Sequence, residues 1–135
     1  MRNTSRILRF RSMSELRKVL YVDDEVINLE LLQLTFKNEL QVYTAITAQE
    51  GLQILSYNQD IHVVISDLKM PVMNGLDFIK EVKSRYGDKV CMLLTAFLES
   101  EVMLEGFNKE LIFRYLMKPW NKDELYETIL EAYNR

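Results

Sequence analysis

Apolar positions along this chain follow two alternating rhythms. Short, near-continuous apolar runs are followed by longer stretches in which apolar residues recur every three or four positions, the periods of a buried strand and of an amphipathic helix. Lys18-Val-Leu-Tyr-Val22 is the first run, and a helix is predicted after it from about Asn28 to Asn38, with Leu29, Leu32 and Phe36 on one face. Gln41–Ala45 reads as the second strand. Thr47-Ala-Gln-Glu50 is a capping box opening a helix to about Ser56 that buries Leu52 and Leu55. His62–Ser66 is the third strand. Pro71 and Asn74-Gly75 make Met70–Gly75 a loop. Leu76–Arg85 reads as helix, Val90–Leu94 as the fourth strand, and Ser100 to about Asn108 as a shorter helix. Phe113–Met117 is the last strand, and Asn121-Lys-Asp-Glu124 caps a closing helix through Tyr133. Five strands and five helices in strict alternation predict one α/β domain with a parallel sheet wrapped by helices.

Composition changes this picture only at its edges. The 135 residues are 48% hydrophobic, enough for a core without covalent staples. One cysteine, Cys91, excludes an internal disulfide, and its place inside a strand makes it a small hydrophobe. A single histidine, His62, excludes a histidine-based metal site; at a strand start it reads as solvated. A reducing, cytoplasmic setting fits the cysteine count. No apolar run reaches the roughly 20 residues of a membrane span.

Charge is unevenly spread. Of 17 basic and 20 acidic residues, the first 18 positions hold six and one, leaving 11 and 19 in the other 117, a balance of −8. An acidic body argues against nucleic acid as its partner. Residues 1–16 read as a basic N-terminal extension, expected to be disordered, ahead of a domain spanning 17–135. An upstream extension with Met13 as the start, and an arm for an anionic partner, remain alternatives.

Ligands of an open parallel sheet bind beyond the carboxyl ends of its strands. The first strand ends in Asp23-Asp24-Glu25, the third in Asp67, the fourth in Thr95 and the fifth in Lys118-Pro119. Singly, each has an ordinary explanation: an aspartate caps a helix, a lysine sits on a surface. Together they bring carboxylates, a hydroxyl and an ammonium to one rim. Clustered carboxylates need a cation to stay ionised together, and an oxygen-only donor set suits Mg2+. A carboxylate can also attack phosphorus and form an acyl phosphate. The transferred group's oxygens then need neutralising, a task for the cation, Lys118 and Thr95.

The ordered motifs Leu20-Tyr-Val-Asp-Asp-Glu25, Ile65-Ser-Asp-Leu-Lys-Met-Pro-Val-Met-Asn-Gly75, Leu94-Thr-Ala96 and Tyr115-Leu-Met-Lys-Pro119 resemble those of two-component response regulator receiver domains, from about Arg17 to the C-terminus. The resemblance implies a flavodoxin-like doubly wound sheet of order 2-1-3-4-5. It implies that Asp67 accepts phosphate from a histidine kinase or phosphotransfer protein. Asp23 and Asp24 then hold Mg2+ with Asp67 and the backbone carbonyl of Lys69. Thr95 becomes the switch hydroxyl, Lys118 the lysine that pairs with the phosphoryl group, and Tyr115 the aromatic that turns inward. A cis bond before Pro119 is common in the family. The surface so remodelled is that of the fourth helix, fifth strand and fifth helix, which would meet a downstream effector or, on phosphorylation, a second copy. Lys69 and Phe97 flank the approach of hydrolytic water, and Phe97 is expected either to shield the acyl phosphate or to pack on the neighbouring helix. Trp120 is expected to be partly exposed, as a partner anchor or as packing against the last helix.

Other classes fit less well. Phosphatases with an aspartyl-phosphate intermediate carry a second aspartate two residues after the nucleophile, where this chain has Lys69. A flavin-binding protein of this topology needs a Ser/Thr/Gly-rich phosphate loop after the first strand, where this chain has acids. The expected chemistry is therefore self-phosphorylation and its reversal, with no turnover of an external substrate. The chain reads as a stand-alone regulator or as part of a longer protein.

Overall fold

A computed structural model describes residues 16–108 and 110–135. The elements alternate as β1 (Arg17–Val22), α1 (Val26–Thr35), β2 (Leu40–Ala45), α2 (Ala48–Tyr57), β3 (Val63–Ser66), α3 (Gly75–Arg85), β4 (Val90–Thr95), α4 (Ser100–Asn108), β5 (Arg114–Met117) and α5 (Lys122–Tyr133). The five strands are all parallel in the order β2-β1-β3-β4-β5. This is the doubly wound, flavodoxin-like α/β fold that the motifs imply.

Both faces of the sheet are covered, which is why its central strands are apolar at successive positions. Val19 and Tyr21 point to a layer shared with Leu29, Leu32 and Phe36 of the α1 region and Leu125, Ile129 and Ala132 of α5. Leu20 and Val22 point the other way, to Leu52 and Leu55 of α2 and Phe78, Ile79 and Val82 of α3, with Val102 of α4 packed beside them. Leu16, assigned by sequence to the N-terminal extension, is buried. Residues 1–15, the rest of that extension, lie outside the described residues.

Three helices start with a side-chain cap, and for two of them, at Thr47 and Asn121, the sequence places it; Asn74 reads there only as a turn former. The Thr47 hydroxyl accepts the Glu50 amide at 3.0 Å, while the Glu50 carboxylate takes the Ile46 amide at 2.8 Å. Asn74 and Asn121 cap α3 and α5 through the amides of Asp77 and Glu124. The first helix differs from expectation. It runs from Val26 to Thr35, two residues earlier at its start and three at its end than the apolar spacing suggests. Its N-cap, Glu25, makes no side-chain cap. Asn28 lies inside the helix instead, with its amide turned back onto Asp23 and Glu25.

The chain turns from β1 outward to β2, then crosses back to β3 on the other side. A crevice opens beyond the ends of β1 and β3, at the point where the winding reverses.

Candidate functional site

Register decides what shares this crevice. Val22 pairs with Ser66, so the next residues, Asp23 and Asp67, leave their strands side by side. The backbone ties them there: the Asp67 amide donates to the Val22 carbonyl at 2.9 Å and the Asp23 amide to the Ala45 carbonyl at 3.1 Å. On the far side Thr95 pairs with Met117, which sets Lys118 one step beyond the end of β5. The Lys118 amide donates to the Thr95 carbonyl at 3.0 Å, and the Lys118–Pro119 peptide is cis.

Asp23 is fully buried and hydrogen-bonded at both oxygens. Oδ1 accepts the Glu25 amide at 2.9 Å; Oδ2 accepts Lys118 Nζ at 2.7 Å, the Tyr21 hydroxyl at 2.7 Å and the Asn28 amide at 3.2 Å. Asp67, 9% exposed, accepts the Leu68 amide at 2.7 Å on Oδ1 and Lys118 Nζ at 3.3 Å on Oδ2. One ammonium therefore bridges two carboxylates. Burial works against the charged form of Lys118, but the hydrogen bond to Asp23 and the charges of Asp67 and Asp23 outweigh it and raise its pKa. Burial, with the Asp23 carboxylate beside it, pushes the Tyr21 phenol well above its usual range.

Asp24 is exposed at the mouth of the crevice, and carboxylate oxygens of Asp23, Asp24 and Asp67 all lie within 4.8 Å of one another. Such a set of hard oxygen donors, two walled in and one open to water, fits a divalent cation that keeps part of its hydration shell. The fourth predicted ligand, the Lys69 carbonyl, belongs to the loop directly after Asp67.

That loop is held tightly. A methyl group on Gly75 would sit 2.0 Å from the Asp67 carbonyl oxygen, and the Gly75 amide donates to the Leu68 carbonyl at 2.7 Å. Only glycine allows α3 to start this close to the acidic strand end. Val72, fully exposed in the same loop, has φ of 70°, a left-handed conformation that strains a β-branched residue.

Thr95 is buried, and its hydroxyl accepts the Phe97 amide at 3.3 Å. Phe97 is 63% exposed, and its ring lies under Lys69, with Nζ 5.1 Å from the centroid. Tyr115 is half-buried; its hydroxyl donates to the Met103 carbonyl of α4 at 2.8 Å. A methyl group on Gly106 would meet that hydroxyl at 2.3 Å, so the phenol rests in a notch on α4.

Trp120 is partly exposed, as expected, whereas the surroundings of His62 differ from expectation. Trp120, half-buried, stacks on Phe36 at the end of α1, with ring centroids 5.9 Å apart, and lines a groove with Leu31, Thr35 and Pro119. His62 is half-buried beside the Tyr133 ring, centroids 5.6 Å apart, where solvation alone was expected. Sequence reading also passed over Tyr21 and Asn28. A phenol two positions before an acid on one strand points to the same face, and that spacing is the signal that finds Tyr21.

An open parallel sheet of this order, with an acidic crevice bridged by lysine, defines the receiver class of signalling domains. The family description "Response regulator receiver domain" matches residues 19–130, and the chain belongs to that family, the receiver domains of two-component response regulators. The hydrogenase transcriptional regulatory protein HoxA of Cupriavidus necator is 34% identical over 114 residues, which is 84% of this chain and 23% of that protein. The probable chemotaxis protein CheY of Rhizobium etli is 38% identical over 92 residues, 63% of this chain and 68% of that one. Thus the chain spans about a quarter of the length of the HoxA relative. A receiver domain from Clostridium thermocellum superposes with a TM-score of 0.82 at 34% identity, covering 89% of this chain and 96% of the other. Chemotaxis protein CheY4 of Vibrio cholerae gives 0.78 at 31% identity, covering 87% and 98%.

Proposed function

We propose that Asp67 is the phosphoacceptor of a phosphorylation-controlled switch, charged by the phosphohistidine of a histidine kinase or phosphotransfer protein. The observation that carries this is the ammonium of Lys118 bridging the Asp23 and Asp67 carboxylates, with Asp24 open beside them. In the transfer, an Asp67 carboxylate oxygen attacks phosphorus, the P–N bond to the donor imidazole breaks, and the imidazole leaves with the bonding pair. Mg2+, held by Asp23, Asp24, Asp67 and the Lys69 carbonyl, would neutralise charge on the transferring group. Lys118 stays within reach of Asp67 to pair with one phosphoryl oxygen, and Thr95, on the neighbouring strand, supplies a hydroxyl to another.

The switch follows from that last contact. Movement of Thr95 toward the phosphoryl group opens space beside β4. Tyr115 then exchanges its bond to the Met103 carbonyl for an inward position, and the α4–β5–α5 surface changes. Met103, Leu104 and Met117 are exposed apolar residues on that surface, suited to an effector or to a second copy of the domain. A phosphoryl group adds close to two charges and strong acceptors, enough to bias such a two-state element. The chemistry is confined to the protein's own aspartate, so the domain is a switch rather than an enzyme acting on external substrates. The reading carries a cytoplasmic location with it, and the acidic body argues against nucleic acid as this domain's ligand.

Incubation with acetyl phosphate and Mg2+, followed by intact mass, tests the proposal. A gain of one phosphoryl unit that is lost in Asp67→Asn supports it. No adduct under saturating donor, or an undiminished adduct in Asp67→Asn, overturns it.

A further inference from the structure

Of the polar-tipped side chains of β1, Arg17, Lys18 and Tyr21, Tyr21 alone is fully buried. Its neighbours on the same face, Val19 and the residues of α1 and α5, are apolar, so packing alone would be served by phenylalanine. What the hydroxyl adds is a single bond, 2.7 Å to Oδ2 of Asp23. Residues two apart on an extended chain share a face, which brings the phenol within reach of the carboxylate. The groups around Asp23 divide into two kinds. Lys118 carries a positive charge and competes with any cation for the same oxygen. Tyr21, Asn28 and the Glu25 amide are neutral donors that hold the carboxylate in place without opposing a cation.

We infer that Tyr21 is a positioning residue for cation binding: its hydroxyl fixes the rotamer of Asp23 so that the remaining lone pairs face Asp24 and Asp67. This deepens the Mg2+ site of the proposed function and rests on it. Groups that orient a ligating carboxylate from behind commonly set affinity by about 10- to 100-fold when removed. Of the neutral donors, Tyr21 is the best placed to do so. It is wholly buried, whereas Asn28 is shared at 2.8 Å with the exposed Glu25 carboxylate.

The test uses wild type and Tyr21→Phe, which keeps the ring and deletes only the hydroxyl. Mg2+ affinity is measured by calorimetry with MgCl2 alone. The rate of phosphorylation by acetyl phosphate is then followed as a function of Mg2+ concentration. The expected result is a Kd for Mg2+ raised by about tenfold or more, and a half-saturating Mg2+ concentration raised in step. The rate at saturating Mg2+ should stay within about twofold of wild type, because the loss lies in binding rather than in the transfer. A lesion that merely loosens the fold would lower the saturated rate and leave Kd nearly unchanged, and that result overturns the inference. So does an unchanged Kd in Tyr21→Phe alongside normal Mg2+ binding by wild type, while leaving the proposed function intact. Wild type that binds no Mg2+ overturns both.

Discussion

Removing the Lys118 charge should destabilise the metal-free protein and strengthen its hold on Mg2+. The ammonium lies 2.7 Å from Asp23 and 3.3 Å from Asp67, and the side chain is 19% exposed. In Lys118→Met the alkyl stem is kept while two carboxylates, one of them fully buried, lose their counter-charge. Breaking a buried pair from one side costs about 3–5 kcal/mol. A hydrogen bond to a charged group contributes about 1.5–3 kcal/mol. Partial exposure of Lys118, and the three further donors that Asp23 retains, place the expected loss near the lower bound, about 2 kcal/mol. A divalent ion then meets a site with no competing ammonium. At a concentration 100-fold above its Kd it should return about 2.7 kcal/mol, more than the loss. Urea unfolding of wild type and Lys118→Met, each with and without MgCl2, measures both halves. Unchanged metal-free stability, or Mg2+ bound no more tightly than by wild type, would refute the reasoning. The pH dependence has a definite sign. Because the folded-state pKa of Lys118 is raised above the ordinary 10.5, its stabilisation is complete below that value. It is lost as pH rises through the higher folded value, and Lys118→Met should lack that alkaline decline.

Three further outcomes follow from other parts of the chain. Burial pushes the Cys91 thiol up to about 12, so it should resist a thiol-directed disulfide reagent at pH 8 until the protein unfolds. Its contribution to stability is whole below the unfolded thiol pKa and declines as pH rises toward 12; rapid native labelling would contradict the buried placement. Val72→Gly should raise stability by about 1 kcal/mol in urea titrations, because relief of left-handed strain exceeds the entropy cost of glycine. No packing is lost at so exposed a position, and an unstabilised variant argues against strain there. Phe97→Ala removes the ring on which Lys69 rests. If the pair shields the acyl phosphate with a cation–π contact of about 0.5–1 kcal/mol, its loss should speed dephosphorylation by about two- to fivefold. An unchanged half-life of the phosphorylated protein would leave Phe97 no shielding role.

Much of this molecule was legible before its structure, for specific physical reasons. Strands buried on both faces must be apolar throughout, so β1, β3 and β4 announce themselves. Thr47 and Asn121 mark helix starts because their side chains satisfy orphan amides. Polar groups at the ends of such strands have nowhere to lie but the rim, which is why Asp23, Asp67, Thr95 and Lys118 could be gathered from sequence. What stayed hidden depends on long-range geometry. The limits of α1 are blurred because its exposed face is also apolar, with Ile27, Leu31 and Leu34 open to solvent, so spacing offers no contrast. Trp120 meets Phe36, 84 positions earlier in the chain, and local pattern cannot choose that partner over the adjacent last helix. Tyr21 reads as one more core aromatic until its hydroxyl is seen on Asp23.

The central claim is that Asp67, and no other carboxylate of the crevice, takes the phosphoryl group. Borohydride reduction of the phosphorylated protein converts an acyl phosphate to an alcohol, and peptide mass mapping then locates it. The reduced side chain is expected at position 67 alone. Reduction at Asp23 or Asp24, or label recovered on a serine, threonine or histidine instead, would contradict it.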